Sequence, residues 1–327
     1  MPAPILIVGQ GLAGTVLGWT FEREGIAFEI VDAGHASAAS RVGAGIINPI
    51  TGQRIVKSRG VDMLLPRALE VYRAMETEWD VSLVRAMRVR RFFNDDRERR
   101  VFAEKSATGE LAPYAGKADA DGFWIEGAAR IDTAALIVMA RARWLADGRL
   151  REERVDLTAA LGRYDVVILC TGADDCGGLA WGDVNCARAT GEILTLAVGG
   201  LAPAVILNSG HWVLPTAEGF AKVGATYTRE GEMLAREIAR EELTKSAIRL
   251  LDGRAFTVVM QEAGVRVTSP DRYPLVGRSS REPRLGIFNG LGSKGALLAP
   301  WLAHQWVNHL TEGVPFDGEV AVTRFAR

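Results

Sequence analysis

Three glycines and one acid near the amino end carry the first recognisable chemistry. Gly9-Gln10-Gly11-Leu12-Ala13-Gly14 follows the apolar run Pro4-Ile5-Leu6-Ile7-Val8. Asp32 ends a second apolar run, Phe28-Glu29-Ile30-Val31, and stands 21 residues past Gly11. Gly9 permits a tight turn off the first strand. Gly11 has no Cβ, so a pyrophosphate could approach the backbone, and Gly14 lets a helix lie close on a sheet. The helix start offers N–H groups and partial positive charge to phosphates, and an acid at the distance of Asp32 accepts a ribose hydroxyl. A lone glycine fingerprint is weak, and the plain alternative is a strand–turn–helix that binds nothing. Here strand, turn, helix, strand and acid agree, which points to a dinucleotide.

Stepping outward, an amphipathic helix runs from the fingerprint to Gly25. Residues 33–60 read as a long non-periodic segment, which in a compact fold is usually functional. Leu64, Leu65, Ala68, Leu69, Val71, Tyr72 and Met75 recur at helical spacing before Trp79. Val89 to Phe93 reads as a strand, and 106–122 as a loop with little structure. Asp132 is placed to cap a helix with Leu136, Met139, Ala140 and Trp144 on one face. Tyr164 to Cys170 is a continuous apolar strand of the buried parallel type, ending in the turn Thr171-Gly172-Ala173. Short strands between turn residues over 185–265 suggest a mostly antiparallel sheet, interrupted by one helix over about 230–251. Leu285 to Phe288 is a strand, Asn289 to Gly295 a glycine-rich turn, and a helix follows from about Ala296 to Leu310. This second strand–glycine–helix unit is expected to meet the first in one sheet.

Composition narrows the classes. A length of 327 residues suffices for a large core and two domains, and 48% apolar content marks a globular chain. With 39 basic and 40 acidic residues, no general basic field exists for nucleic acid. The charged stretch Arg85 to Arg100 is interrupted by Asp95, Asp96 and Glu98 and reads as a solvated face. Cys170, Cys176 and Cys186 argue against a disulfide framework, and four histidines without tight spacing against a metal site. His211, His304, His309, Trp181 and Trp301 read as structural. Met1-Pro2-Ala3-Pro4 shows no basic leader, and no apolar run reaches about 18 residues. A soluble, cytoplasmic protein without a membrane span is expected.

At this point the ordered motifs resemble the D-amino-acid oxidase, glycine oxidase and sarcosine oxidase superfamily. The resemblance is carried by the N-terminal fingerprint, Ser40 to Pro49, Ile131-Asp132, Val166 to Ala173, Gly264-Val265-Arg266, Asp271 to Gly277 and Gly290 to Pro300. It is weakest over about 80–125. It implies an α/β fold, with a Rossmann-like FAD-binding domain and a second antiparallel-sheet substrate domain. The expected FAD domain is discontinuous, over 1–80, 126–184 and 262–327, with a cap over 81–125 and 185–261. The resemblance also implies FAD, where the fingerprint alone leaves NAD open. The residues expected to hold it are Gly9, Gly11, Leu12, Ala13, Gly14, Asp32, Ala33, Ser40, Arg41, Gly43, Ala44, Gly45, Ile46, Val155, Thr171, Gly172, Arg266, Gly290, Gly292, Ser293, Lys294 and Gly295.

Four cations are implied at the reacting centre. Gln53-Arg54-Ile55-Val56-Lys57 is similar to a T-R-I-I-R segment of sarcosine oxidases, which makes Arg54 a flavin neighbour and Lys57 a carboxylate ligand. Gly290-Leu291-Gly292-Ser293-Lys294-Gly295 resembles a G-H-G-x-K turn, so Lys294 would help bind carboxylate. A lysine at a helix start opposes the dipole and calls for a counter-anion. Gly264-Val265-Arg266 resembles a G-x-R whose Arg pairs with substrate carboxylate. The implied reaction is C–N oxidation of a small carboxylate-bearing amine, with oxygen or another acceptor.

The chain also departs from the pattern. Leu291 replaces the His, and Lys57 replaces an Arg that would pair bidentately. No Cys lies beyond Cys186, so FAD is expected to be noncovalent. Two alternatives stay open. One is an FAD dehydrogenase of a 2-hydroxy acid or amine that passes electrons to a non-oxygen acceptor. The other is a flavin-binding protein without turnover, which Leu291 keeps in view. Neutral charge and the lack of a methyltransferase segment argue against a tRNA-modifying relative.

Overall fold

The computed structural model describes residues 5–34, 38–174, 184, 186–229 and 236–325. The readings made on Met1 to Pro4, Cys176, Trp181 and the first turn of the 230–251 helix lie outside these residues. In chain order the chain forms β1 (Ile5–Val8), α1 (Leu12–Arg23), β2 (Phe28–Val31), α2 (Ala39–Val42), β3 (Ile46–Ile47), β4 (Ile50–Thr51), β5 (Val56–Lys57), α3 (Val61–Trp79) and β6 (Val84–Phe92). Then come α4 (Asp96–Ala107), β7 (Ala115–Ala118), β8 (Gly122–Ile131), α5 (Thr133–Ala146), β9 (Leu150–Arg151), α6 (Leu157–Arg163), β10 (Val167–Leu169) and β11 (Ala187–Ala197). The remainder is β12 (Val205–Ser209), β13 (His211–Ala217), β14 (Phe220–Gly224), β15 (Thr228–Arg229), α7 (Arg236–Leu251), β16 (Thr257–Thr268), β17 (Leu275–Arg278), β18 (Leu285–Asn289) and α8 (Gly295–Glu312).

The chain divides into two units, 1–43, 133–189 and 264–327 in one, 44–132 and 190–263 in the other. The first holds a sheet in the order β17-β18-β10-β1-β2-β9. All neighbours are parallel except β17 with β18. The register sets Leu6 opposite Val167 and Val167 opposite Leu285, and all three are buried. Continuous apolar runs suit strands covered on both faces. Glycines allow close packing here: a Cβ on Gly286 of the sheet would lie 2.4 Å from the Trp306 ring of α8, and one on Gly18 of α1 would lie 2.9 Å from Trp144 of the neighbouring helix α5. The two strand–glycine–helix units do share this sheet, with β10 between β1 and β18.

The second unit is built on a sheet in the order β15-β11-β14-β13-β12-β6-β8-β3. It is mostly antiparallel, with β12 and β6 parallel. Leu194, Leu196, Val213 and Val223 of the sheet share a buried cluster with Leu243, Ala247 and Leu250 of α7.

Several readings need correction. Residues 44–80 and 126–132 belong with the second unit, because β3 pairs with β8 and β8 with β6. The 33–60 segment, read as non-periodic, holds α2 and three two-residue strands, too short to show a period. The 106–122 stretch contains β7. In α5, Ile137 is buried and Met139 is exposed. Cys170 is a buried free thiol, whereas Cys186 is disulfide-bonded, a bridge the count of three did not suggest.

Candidate active site

The fingerprint turn is shaped so that side chains are shut out. Gly9 has φ +98°, and a Cβ there would lie 2.6 Å from the Cys170 carbonyl oxygen. A Cβ on Gly14 would lie 2.0 Å from the Gly9 carbonyl. Helix α1 starts after Gly11 with no side-chain cap and no acid in its first turn. The Leu12 N–H donates to Ser40 Oγ at 3.1 Å, which brings Ser40 to the helix start. The N–H groups of Ala13 and Gly14 have no acceptor within the helix and suit an anion. Arg41 and Gly43 close the short helix α2, and the Gly43 N–H donates to Ala39 O at 2.8 Å.

Asp32 follows β2, with Ala33 exposed beside it. Its Oδ2 accepts the Gln10 N–H at 2.7 Å, and its Oδ1 accepts the Gly34 N–H and an Arg141 Nη1–H, each at 2.8 Å. Burial alone would raise its pKa. The Gln10 and Gly34 N–H groups and the Arg141 charge outweigh it and hold the carboxyl below its usual range.

Three further groups of expected residues lie in this unit. Thr171 and Gly172 follow β10, and Gly290, Gly292, Ser293, Lys294 and Gly295 follow β18, so both turns sit at carboxyl ends of neighbouring strands. That is where α/β sheets place ligands. Asn289, missed by the motif reading, joins them: its Nδ2 donates to Gly172 O at 2.9 Å. A Cβ on Gly295 would lie 3.1 Å from Leu12 Cδ2, so the closing turn abuts the start of α1. Val155 packs against the core cluster that contains Val31 and Leu169. Arg266 is half-buried on β16, and Leu291 is half-buried in the closing turn.

Lys294 is the N-cap of α8 and half-buried. Burial lowers its ammonium below the usual lysine value. Among the described residues nothing hydrogen-bonds or ion-pairs with its side chain.

In the second unit, Ala44, Gly45 and Ile46 lead into β3, where pairing with β8 already accounts for Gly45. Its carbonyl accepts the Ile131 N–H at 2.9 Å, and a Cβ would lie 1.8 Å from Ile131 O. Strands β4 and β5 form a hairpin whose turn, Gly52 to Ile55, carries Arg54. Arg54 is exposed. Lys57 is engaged: its Nζ lies 2.5 Å from Asp62 Oδ2, 2.9 Å from Ala112 O, and 5.5 Å from the Tyr114 ring centre. Sequence also read Arg91 and Glu98 as part of a solvated face. They form a buried ion pair at 3.1 Å, and Arg91 Nη2 also donates to Gly52 O at 2.9 Å. Of the histidines read as structural, His211 contacts Ser246 and Glu242, His309 accepts from Arg278, and His304 is exposed.

A mostly parallel sheet with a glycine fingerprint, an acid after its second strand and turns at adjoining carboxyl ends defines a dinucleotide-binding fold. The chain belongs to the DAO family, FAD dependent oxidoreductase, whose model matches residues 4–308. It is 28% identical over 95% of its length to the tRNA 5-methylaminomethyl-2-thiouridine biosynthesis bifunctional protein MnmC of Maricaulis maris (strain MCS10), covering 52% of that protein. It thus spans about half the length of such curated relatives, and the expectation that composition argues against a tRNA-modifying relative is corrected by this match. Glycine oxidase of Pseudomonas putida is 30% identical over 35% of the chain and 32% of its own length. Among solved structures, iminodiacetate oxidase of Chelativorans sp. BNC1 has TM-score 0.76 at 21% identity, covering 97% of this chain and 98% of that one. Glycine oxidase of Geobacillus kaustophilus has TM-score 0.74 at 18% identity, with both chains fully covered. The chain therefore carries an FAD-dependent oxidoreductase domain. The glycine cradle, the Ala13 and Gly14 N–H groups at the helix start and the ionised Asp32 fit the pyrophosphate and ribose of FAD.

Among the described residues there is no cluster of metal-ligating side chains, and no helix is long and apolar enough to cross a membrane.

Proposed function

We propose that this enzyme oxidises the C–N bond of a small amino acid or N-substituted amino acid, with FAD held noncovalently. The observation that carries this reading is Lys294. A half-buried ammonium without a protein counter-charge, at a strand end beside the fingerprint helix, suits an anion supplied from outside. A substrate carboxylate meets that need. When bound, FAD supplies the two-electron acceptor for the C–H bond beside nitrogen. The protein's share is then orientation: Lys294 and Arg266 take the carboxylate, and Arg54 neighbours the flavin. Charge-assisted bonds of about 1.5–3 kcal/mol each are enough to set a substrate's pose. Lys57 has a weaker claim, because Asp62 already neutralises it.

The test is anaerobic. Purified protein is mixed with glycine, N-methylated glycines, iminodiacetate and D-amino acids in turn, and flavin absorption is followed. Bleaching by at least one carboxylate-bearing amine is expected. Bleaching by 2-hydroxy acids alone, or by none of these, defeats the reading. Admitting air then separates an oxidase, which makes peroxide, from a dehydrogenase with another acceptor.

The MnmC match supports a second reading, in which the amine is carried on RNA. Bleaching by a methylaminomethyl-uridine nucleoside, or by RNA bearing it, in preference to free amino acids would favour this alternative.

A further inference from the structure

We propose that Arg141 is a positioning residue for FAD, locking Asp32 so that Oδ2 alone accepts a hydroxyl of the adenosine ribose. The argument is an account of donors and lone pairs. A carboxylate oxygen accepts two hydrogen bonds in good geometry. Asp32 Oδ1 has both, from the Gly34 N–H and from Arg141 Nη1, each at 2.8 Å. Asp32 Oδ2 has one, from the Gln10 N–H at 2.7 Å. One acceptor position is left, and it lies on Oδ2.

Arg141 is itself held on every side. Its Nη1 also donates to Gln10 Oε1 at 3.0 Å, and its Nε and Nη2 donate to Glu152 Oε1 at 2.9 and 2.6 Å. The Gln10 amide is consumed as well: its Nε2 donates to Thr15 Oγ1 at 3.1 Å and to Ile137 O at 2.9 Å. Ile137 and Arg141 stand one turn apart on α5, so this helix clamps the fingerprint turn and Asp32 together. The side chains of Asp32 and Arg141 keep 12% and 21% of their surface exposed, which leaves the carboxylate within reach of a ligand. The charged groups facing Asp32 among the described residues are Arg141 and, behind it, Glu152. An Asp held by three donors cannot turn to offer both oxygens, so the two ribose hydroxyls are unequal.

The experiment measures FAD binding to deflavinated protein by quenching of flavin fluorescence. In the unaltered protein, FAD analogues lacking the adenosine 2′- or 3′-hydroxyl are compared. One is expected to bind roughly tenfold to a hundredfold more weakly than FAD, and the other within about twofold. Equal losses with both analogues would overturn the single-acceptor assignment. The pH profile of FAD affinity is then compared with that of Arg141→Gln. Removing the guanidinium raises the Asp32 pKa, so affinity in the variant falls at a higher pH on acidification. Arg141→Lys, which keeps a charge, restores part of the shift. Superimposable profiles would refute the positioning role. Should Arg141→Gln fail to fold, the lysine variant and the analogue comparison still decide the matter.

Discussion

The Asn289 side chain spans two strand ends: Nδ2 donates to the Gly172 carbonyl at 2.9 Å, and Oδ1 accepts the Gly290 N–H at 2.8 Å. One buried amide thus fixes the turn after β10 against the turn after β18. Both turns need left-handed backbone, at Gly172 (φ +56°) and Gly290 (φ +70°), so the tie holds segments whose local preference is weak.

Asn289→Leu should therefore destabilise the protein by about 1–3 kcal/mol, since it strands a half-buried carbonyl and a buried N–H. It should also weaken FAD retention. Asn289→Asp keeps the acceptor and loses the donor, so it should fall between. Thermal unfolding with and without added FAD checks both. An unchanged midpoint in Asn289→Leu would show that the tie carries no stability.

Gly11→Ala separates binding from folding. Gly11 has φ −80°, which alanine adopts freely, and a Cβ would meet Ser40 Oγ at 3.0 Å. Stability without cofactor should change by less than about 1 kcal/mol, while FAD affinity falls at least about tenfold as the methyl enters the phosphate approach. Gly14→Ala is the contrast. Its Cβ would lie 2.0 Å from a backbone oxygen, so it should damage folding itself. Paired denaturation and flavin-titration curves distinguish the two.

These glycines show what was legible in the sequence. The fingerprint, Asp32 and the closing turn could be read because each rests on local backbone geometry that few residue types satisfy. What could not be read was set by tertiary partners. Arg91 and Glu98 sit in a charge-rich stretch that looks solvated, yet pairing removes both from water. Gly45 resembled a cofactor glycine, whereas strand pairing with Ile131 accounts for its missing Cβ. Asn289 and Arg141 carry no motif, since their contacts span more than 100 residues. Lys57 matched a carboxylate ligand by position, but Asp62, five residues on, takes its charge.

Lys294 gives a pH prediction. Burial depresses its pKa in the folded state, so between that value and the ordinary lysine range the unfolded chain binds more protons than the folded one. Stability of the ligand-free protein should then rise with pH across that window. Binding of a carboxylate substrate needs the charged form and should weaken over the same window. Lys294→Met should remove the stability slope and raise KM about tenfold to a hundredfold, with a smaller effect on kcat. Lys57→Met should raise KM by less than about threefold, because its cation is already paired. Equal effects in the two variants would shift the carboxylate assignment away from Lys294.

The Arg91–Glu98 pair gives the last prediction. Both side chains are 6% exposed, and Arg91 holds the carbonyl of Gly52 at the start of the Arg54 turn. Glu98 in turn accepts from the N–H and amide of Asn94 through Oε2. Removing one member leaves the other charge buried, a loss of about 3–5 kcal/mol. Arg91→Met and Glu98→Leu should each lower the unfolding midpoint strongly, while the double variant that combines them should recover much of the loss. A double-mutant cycle in denaturant measures the coupling. The double variant should still differ in one respect: the Gly52 carbonyl has lost its donor, so the Arg54 turn is less firmly held. If Arg54 acts beside the flavin, reduction of bound FAD by substrate should be slower in the stabilised double variant than in the parent. Full recovery of stability together with an unchanged reduction rate would show that the pair supports folding alone.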